Sequence, residues 1–261
     1  MRIYIIIPAH REGSRIKKAI IDYENTLCKR HKGINILIVT DTEGDTASVA
    51  STLTKGKRQF KIVVSNHREG KGGAIIHGLN IVCKACSSKD IIVFTDADDS
   101  VKGREIERLI KMLSKSNIQG LIGSRYIRGS KIIGRITGGR YIASRAYNLM
   151  VRLLFGFPFR DTQCGIKLFK AGAICSILSR LSLVDMSFDI NLLYELMAKG
   201  FVIKEIPITF HQMNEGSKVK LTRQGPQMFL ATLGFRISRS RISKIIPDKL
   251  KGFIYNKVKG W

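Results

Sequence analysis

Acidic residues are scarce in this sequence. The 261 residues include 20 Asp and Glu against 45 Lys and Arg, which gives a net charge of +25 at pH 7. Proline is also scarce, at 5 residues, and 44% of the chain is apolar. This composition excludes a disordered chain and predicts one large domain or two small ones. The excess positive charge predicts a polyanionic partner, which is a nucleic acid, an anionic membrane surface or a phosphorylated small molecule.

Long apolar runs are absent. No stretch approaches the roughly 20 apolar residues that a transmembrane helix needs. The first apolar run, Ile3 to Ile7, ends at Pro8 and is typical of a strand rather than of a secretory signal peptide. We therefore expect any membrane contact to be peripheral, on the cytoplasmic face of a membrane.

A cysteine pattern of the secreted kind is absent as well. The chain has five cysteines, an odd number, and their spacing favours a reducing cytosolic setting. Cys83 and Cys86 form a single CxxC pair. A zinc site normally needs four ligands and no second pair is nearby, so the spacing favours a buried thiol pair on a helix.

Apolar runs alternate with amphipathic stretches through the first half of the chain. This alternation predicts an α/β fold with a doubly wound, mainly parallel sheet flanked by helices. The predicted strands are Ile3–Ile7, Ile34–Thr40, Phe60–Ser65, Asp90–Thr95 and Gly120–Gly123. The predicted helices are Arg15–Lys29, Asp45–Leu53, Ala74–Cys86 and Arg104–Leu113. Ligands bind such sheets beyond the carboxyl ends of the strands, where the sequence places its polar residues.

Two carboxylates follow the fourth predicted strand. Asp96 and Asp98 flank Ala97 directly after the run Ile91 to Phe94. Carboxylates so spaced can address one hard cation, and Mg²⁺ or Mn²⁺ is commonly held by one or two of them together with substrate phosphates. The alternative is a helix N-cap, because a helix is predicted to begin near Gly103. The position at a strand end favours metal binding.

Two other strand ends carry candidate ligand-binding groups. Asp41 follows the second strand and could accept hydrogen bonds from a nucleobase or ribose, or it could cap the next helix. Gly70-Lys71-Gly72-Gly73 opens a predicted helix, where accessible N–H groups and one Lys suit a phosphate. A plain flexible turn is the alternative there.

The second half of the chain is less regular. Apolar residues at helical spacing between Ile142 and Phe157, with Arg145, Asn148 and Arg152 opposite, predict either a core helix or an interfacial helix on a membrane. A strand-like run covers Phe201–Phe210. We expect residues 1–220 to form the main domain and residues 221–261 to form a basic, amphipathic extension that contacts a membrane surface.

Together these residues resemble the family 2 glycosyltransferases with the GT-A fold, and within them the polyprenyl-phosphate sugar synthases. Two segments, Asp161-Thr162-Gln163-Cys164-Gly165 and Gly216-Ser217-Lys218-Val219, look closest to dolichyl-phosphate glucosyltransferases. The other matching segments begin at Ile7, Ile38, Gly70, Asp96, Gly123, Ser187 and Glu205. Their shared order and spacing cover most of the chain. His10 and Arg11 depart from the Tyr-Asn that is frequent in the family.

The resemblance implies roles for particular residues. Pro8, Ala9, Glu12 and Asp41 would hold the nucleoside of a nucleotide sugar. Asp96, Ala97 and Asp98 would place Mg²⁺ or Mn²⁺ on its diphosphate. Groups facing the diphosphate, the sugar or the acceptor phosphate would be Lys71, Arg125, Gln163, Ser217 and Lys218.

The implied reaction is inverting hexose transfer from UDP-glucose or GDP-mannose to a polyprenyl phosphate. A phosphate monoester is largely ionised at neutral pH, so this acceptor needs no strong base. The first alternative is transfer to a hydroxyl of a glycan or glycolipid, which needs a carboxylate base such as Asp161 or Asp189. The second is a non-enzymatic nucleic-acid binder; the chain has no RRM, KH or zinc-finger signature, and we expect no nucleic-acid partner.

Overall fold

The computed structural model describes residues 1–42, 44–212 and 221–240. Strands and helices alternate through its first half, as the sequence predicts. The strands are β1 (Ile3–Pro8), β2 (Ile34–Asp41), β3 (Phe60–Ser65), β4 (Ile91–Phe94), β5 (Gly120–Ser124), β6 (Lys131–Ile133), β7 (Lys167–Lys170), β8 (Ile203–Pro207) and β9 (Thr209–His211). The helices are α1 (Gly13–Tyr23), α2 (Thr46–Thr54), α3 (Gly70–Val82), α4 (Gly103–Ser114), α5 (Gly138–Phe155), α6 (Ala171–Ile177), α7 (Phe188–Ala198) and α8 (Leu221–Ser238).

The central sheet has seven strands in the order β3-β2-β1-β4-β7-β5-β8. Only β7 is antiparallel to its neighbours, β4 and β5. The parallel pairs are β1 with β2 and β4, β2 with β3, and β5 with β8. A second sheet pairs β6 with β9. The expected α/β fold with a mainly parallel sheet is confirmed.

Each face of the central sheet carries its own hydrophobic core. Successive side chains of a strand point to opposite faces. On β1, Ile5 and Ile7 therefore join a core that contains apolar residues of α1, α2 and α4. Ile6 joins a second core, which includes residues of α3, α6 and α7, with Val151 of α5 and Phe235 of α8. Helices cover both faces, so ligand access is left to the edge where the parallel strands end.

Strand β7 is absent from the sequence prediction. Its apolar segment contains only Leu168 and Phe169 between two lysines, too short a run to predict a strand. The predicted strand Phe201–Phe210 divides into β8 and β9, which pair with β5 and β6. The division falls after Pro207, whose missing N–H cannot continue a ladder.

Helix α5 buries a different side from the one the sequence predicts. Asn148, expected on the polar side, is buried and its Oδ1 accepts hydrogen bonds from the backbone N–H and the hydroxyl of Thr162, at 2.8 and 3.0 Å. Leu149 and Leu153, expected on the apolar face, are 53% and 77% exposed. The helix therefore packs against the protein on one side and presents leucines to solvent on the other.

The chain between residues 221 and 240 packs on the main domain. Thr232 of α8 is buried, and the hydroxyls of Thr232 and Tyr147 are 2.8 Å apart. Residues 241–261 of the expected extension lie outside the described residues. Among the helices that the structure describes, none is both long and apolar enough to cross a bilayer.

The expectation of a simple thiol pair in the CxxC segment is wrong. Cys83 forms a disulfide with Cys175 of α6, 92 residues away. Cys86 stays a free thiol beside them. The pairing requires the end of α3 and a residue of α6 to meet in the fold, which local spacing does not reveal.

Candidate functional site

Predicted site residues from the ends of four strands meet at the carboxyl edge of the central sheet. Pro8 ends β1, Asp41 ends β2, Asp96 lies two residues beyond β4, and Arg125 follows β5. In open α/β sheets ligands bind at this edge. The candidate site is assembled there from segments distant in sequence.

The first part of the site is formed by the ends of β1 and β2. Ala9 is buried and its N–H donates to the carbonyl of Val39 at 2.9 Å. The buried Asp41 lies 2.7 Å from His10, Oδ2 to Nδ1. Asp45 precedes α2, so Asp41 does not occupy the cap position of that helix. The alternative in which Asp41 caps α2 is thereby excluded.

Glu12 belongs to this part of the site and directly precedes α1. Its backbone N–H donates to the Thr46 hydroxyl at 2.7 Å, which ties the first residues of α1 to those of α2. Its carboxylate lies 3.3 Å from the Arg15 guanidinium. His10, absent from the predicted site residues, is thus placed beside one of them, Asp41.

The second part is the pair of carboxylates after β4. Asp98 Oδ1 accepts a hydrogen bond from the Ser100 N–H at 3.0 Å, which closes a tight turn. The N–H of Gly103, the first residue of α4, instead donates a hydrogen bond to Asp22 Oδ2 at 2.6 Å. Neither member of the pair therefore caps α4. Between them Ala97 is buried in the core, which directs the carboxylates to the site edge.

The two carboxylates differ in their electrostatic environment. Burial raises the pKa of Asp98, and the neighbouring negative charge of Asp96 raises it further. Burial acts in the same direction on Asp96, but the nearby cations, Lys71 foremost with Lys167 and Arg125, together outweigh it and lower the pKa of that carboxyl. Two close carboxylates, one of them disfavoured as an anion, are a donor set that a divalent cation would stabilise.

A third segment of the chain packs closely against Asp96 and limits the position of its carboxylate. A side chain added at Gly165 would overlap the Asp96 carboxylate. Gly165 belongs to the segment that precedes β7, the strand that pairs beside β4. The absence of a Cβ at this position therefore leaves the space that the Asp96 carboxylate occupies.

The third part is a buried cluster of ion pairs between lysines and aspartates. Lys71 Nζ lies 2.9 Å from Asp96 Oδ1 and 3.8 Å from Asp189 Oδ2. The almost fully buried Lys167 lies 2.8 Å from Asp189 Oδ1 and donates to the Cys164 carbonyl at 2.6 Å. Burial tends to lower the pKa of Lys71, but Asp96 and Asp189 outweigh it and raise the pKa. Lys71 is therefore held as a cation beside the carboxylate pair.

The fourth part is an Arg–Asp pair behind β5. Arg125 Nε and Nη2 donate to Asp161 at 2.8 and 2.9 Å, and the Arg125 backbone N–H donates to the same carboxylate at 3.0 Å. Burial would raise the pKa of Asp161, but Arg125 outweighs it and lowers the pKa. Both Asp161 oxygens are thus engaged by Arg125, which also lies over the rings of Tyr126 and Phe210.

A mainly apolar cavity of about 570 Å³ adjoins this pair. Arg125 and Gln163 lie at its wall, and Gln163 Nε2 is buried with no hydrogen-bond partner among the described residues. An N–H group of this kind at a cavity wall can donate a hydrogen bond to a ligand atom. The apolar part of the lining includes Tyr126, Ile136, Ala143, Tyr147, Met150, Met186, Met228 and Phe229.

The structure brings most of the predicted residues to one edge. Ser217 and Lys218 lie outside the described residues. Lys167 and the cavity residues of α5 and α8 were absent from the predicted site residues. A buried lysine carries no sequence signal of its burial, whereas Ala143, Tyr147 and Met150 follow helical spacing and mark a second apolar side of α5.

Comparison with known proteins identifies similar chains. Residues 4–178 match the family model described as glycosyl transferase family 2. The dolichyl-phosphate beta-glucosyltransferase of Saccharomyces cerevisiae is 28% identical over 238 residues, covering 83% of this chain and 69% of the relative. The Homo sapiens protein of the same name is 27% identical over 231 residues, covering 84% and 69%.

Solved structures are similar in fold. Glucosyl-3-phosphoglycerate synthase from Mycobacterium tuberculosis, in complex with Mn²⁺, UDP and glucosyl-3-phosphoglycerate, aligns with a TM-score of 0.62 and 19% identity, covering 90% of this chain and 79% of that one. The same enzyme with Mg²⁺ and UDP aligns with a TM-score of 0.64 and 18% identity, covering 90% and 79%. At these identities the likeness establishes the fold.

Proposed function

Because the chain belongs to glycosyl transferase family 2, we propose that it transfers a hexose from a nucleotide sugar to a polyprenyl phosphate, such as dolichyl phosphate, with inversion at the sugar. Glucose from UDP-glucose is the favoured donor group and mannose from GDP-mannose the next. Similarity to proteins named dolichyl-phosphate beta-glucosyltransferase supports this choice.

The observation that carries the choice of acceptor is the pairing of both candidate bases. Asp161 is bonded twice by the Arg125 side chain, and Asp189 lies between Lys71 and Lys167. Transfer to a hydroxyl needs a carboxylate that is able to take a proton. Arg125 holds the pKa of Asp161 below its usual value, and both Asp189 oxygens lie against lysine ammonium groups. A phosphate acceptor is already ionised at neutral pH and needs no base. The pairing therefore supports a phosphate acceptor over a glycan hydroxyl.

The apolar cavity supports a lipid acceptor. Its wall places a guanidinium, and an amide whose Nε2 has no partner in the described part of the chain, beside aromatic and methionine side chains. A polyprenyl phosphate has the same division, with an anionic head and an apolar chain. We assign Arg125 and Gln163 to the phosphate and the cavity to the first isoprene units.

On the donor side, we assign Pro8, Ala9, Glu12 and Asp41 to the nucleoside. Asp96 and Asp98 would hold Mg²⁺ or Mn²⁺, and the paired carboxylates fit such an ion because it would relieve their mutual repulsion. Once bound, the ion would stabilise the charge that develops on the departing nucleoside diphosphate. Lys71 keeps Asp96 oriented and adds a positive charge at the same edge.

The remaining task of the protein is to orient two anionic groups and to exclude water. Asp161 fixes the guanidinium plane of Arg125, and the aromatic rings over that plane limit its motion. The acceptor phosphate would then be held for in-line attack on the sugar. We assign Ser217 and Lys218, from the segment outside the described residues, to the same phosphate groups.

We further propose that the protein lies peripherally on the cytoplasmic face of a membrane. Ile142, Leu149 and Leu153 form an exposed apolar stripe on α5, and Leu230 of α8 is also exposed. Arg145 and Arg152 flank the stripe on the same helix. Apolar insertion next to basic side chains is typical of interfacial helices on anionic lipid. We assign residues 221–261 to this contact and residues 1–220 to the catalytic domain.

The test is a lipid-labelling assay. The full chain is incubated with Mn²⁺ or Mg²⁺, radiolabelled UDP-glucose or GDP-mannose, and a polyprenyl phosphate in detergent, and label extracted into organic solvent is counted. We expect metal-dependent labelling from UDP-glucose. The variant Asp98→Asn should lose about 100-fold or more of this activity, because one of the two carboxylate ligands is lost.

A matched control distinguishes the loss of a carboxylate at the proposed metal site from the loss of a negative charge elsewhere in the protein. Glu24→Gln also removes one carboxylate, but at the end of α1 that is remote from the carboxyl edge of the sheet, and it should label lipid as the wild type does. Labelling of a glycan hydroxyl in place of the lipid phosphate would overturn the proposed acceptor. Failure of both donors to bind in the presence of metal would overturn the donor assignment.

A further inference from the structure

Three cysteine sulfurs converge at the ends of two helices, away from the carboxyl edge of the sheet. Cys83 follows the last residue of α3, Cys86 lies in the turn beyond it, and Cys175 belongs to α6. The sulfur atoms lie within 4.8 Å of one another. Cys83 and Cys175 form a disulfide, and the free Cys86 Sγ is 3.6 Å from Cys175 Sγ.

We propose that these three cysteines, once the disulfide is reduced, bind one thiophilic divalent ion such as Zn²⁺. Zinc–thiolate bonds of about 2.3 Å in a tetrahedral site place sulfurs about 3.8 Å apart. The 3.6 Å between Cys86 and Cys175 is close to this spacing. Cys83 and Cys86 have the CxxC spacing that supplies half of many structural zinc sites, and Cys175 adds a third ligand from another helix.

The turn that carries Cys86 is held in place by its surroundings. The Cys86 N–H donates to the Val82 carbonyl at 2.9 Å. Arg2 Nη2 donates to the Ala85 carbonyl at 2.7 Å, and Asp90 accepts from the Ser87 N–H at 2.9 Å. The position of Cys86 is therefore fixed before the ion arrives, which lowers the entropy cost of binding.

The three ligand positions can be reached from solvent. Thiolate is the form that binds a metal, so binding of the ion releases the thiol protons. Because all three cysteines are partly exposed, water can complete a fourth coordination position.

The chemistry balances in two steps. A dithiol or phosphine reductant supplies two electrons, with two protons, to the Cys83–Cys175 bond and leaves two thiols. The ion then displaces three protons and forms three metal–sulfur bonds. The ion would join the end of α3 to α6, and α3 begins with the segment that carries Lys71. This site is separate from the carboxylate pair and does not depend on the proposed transfer reaction.

Cobalt(II) is the probe, because thiolate ligation produces intense near-ultraviolet charge-transfer absorption that carboxylate ligation lacks. The full chain is reduced anaerobically with a phosphine, and excess Mg²⁺ is added to occupy the carboxylate site. We expect one equivalent of Co²⁺ to develop the thiolate band and Zn²⁺ to displace it. The oxidised protein, with Cys86 as the only thiol of the three, should show no such band.

Two variants complete the test. Cys86→Ser retains the Cys83–Cys175 pair and should weaken Co²⁺ binding in the reduced state by at least about tenfold. Cys28→Ala removes a cysteine that lies in the other core and should bind as the wild type does. A reduced, folded wild type without a thiolate band would overturn the proposal, and so would unchanged affinity in Cys86→Ser. If Cys86→Ser does not fold, Cys175→Ala provides the same comparison.

Discussion

At the scale of single residues, the site is a set of charges that neutralise one another in the absence of substrate. Arg125 is matched by Asp161, and Asp189 is shared by Lys71 and Lys167. Each pair is largely buried, so a charge left alone would be costly. The arrangement keeps cationic groups in fixed positions where two anionic substrates are proposed to meet.

The buried Arg125–Asp161 pair predicts strong energetic coupling. Asp161→Asn leaves the guanidinium without its counter-charge and should lower the free energy of unfolding by about 3–5 kcal/mol. Urea denaturation measures this loss. The double variant Arg125→Gln/Asp161→Asn should lose less than the sum of the two single variants, because it leaves no buried charge unpaired. Strictly additive losses would contradict the assigned pairing.

Gly165 predicts a specific defect in metal use. The Cβ of Gly165→Ala would overlap the Asp96 carboxylate and displace it. We expect the Mn²⁺ concentration for half-maximal nucleotide binding to rise at least about tenfold, because a first ligand is misplaced. Gly139→Ala is the matched control, since a Cβ at that position meets no described atom within 4 Å. Equal metal requirements in both variants would contradict the role of Asp96.

At the scale of elements, α4 is tied to the preceding chain by an ionic cluster. Glu107 of α4 lies 2.7 Å from Lys111, 3.1 Å from His31 and 3.2 Å from Arg30. The hydrogen bond from Lys111 is the main reason that the pKa of Glu107 falls to about 2. The cluster joins the helix to the turn that precedes β2.

This lowered pKa predicts a pH-dependent contribution to stability. A carboxyl whose pKa falls on folding stabilises the protein above its unfolded pKa of about 4.5. The contribution is lost as the pH falls from there toward 2. Glu107→Gln should therefore be less stable than the wild type at pH 7, by about 1–2 kcal/mol. Thermal unfolding at pH 7 and pH 3 measures the difference, which should shrink at the lower pH; a constant difference would contradict the cause given.

At the scale of the whole molecule, the net charge of +25 and the exposed leucines of α5 act together. Basic side chains attract anionic lipid over about a Debye length, and apolar side chains insert at shorter range. In the proposed membrane docking, the charge would set the salt dependence of binding, and the apolar stripe on α5 would set its strength at close contact.

Vesicle binding tests this combination. Leu149→Asp/Leu153→Asp should bind vesicles of phosphatidylcholine and phosphatidylglycerol at least about tenfold more weakly, since burial of one Leu contributes about 1.5–3 kcal/mol. Sedimentation measures the bound fraction, which should also fall with added salt in the wild type. Ile21→Asp is the control, because Ile21 is exposed on α1, which packs on the opposite face of the sheet. Equal losses in both variants would contradict docking through α5.

The sequence by itself determined the alternation of strands and helices and the polar residues at the strand ends. These features depend on local periodicity and on residue type, which are readable along the chain. The family-like order of segments also placed Asp41, Asp96 and Arg125 at one predicted edge, and the sheet brings them there. Helix α1 is shorter than predicted, and α3 has the predicted length but begins and ends four residues earlier, since helix ends depend on tertiary contacts.

Only the tertiary structure decided the partners of these groups. The insertion of β7 between β4 and β5, the burial of Lys167 beside Asp189, and the meeting of Cys175 with the CxxC segment all join residues far apart in sequence. The buried side of α5 was also decided by packing, because the helix has apolar residues on more than one side. Local sequence patterns indicate the secondary structure and the chemical type of a residue, whereas long-range packing determines which residues it contacts.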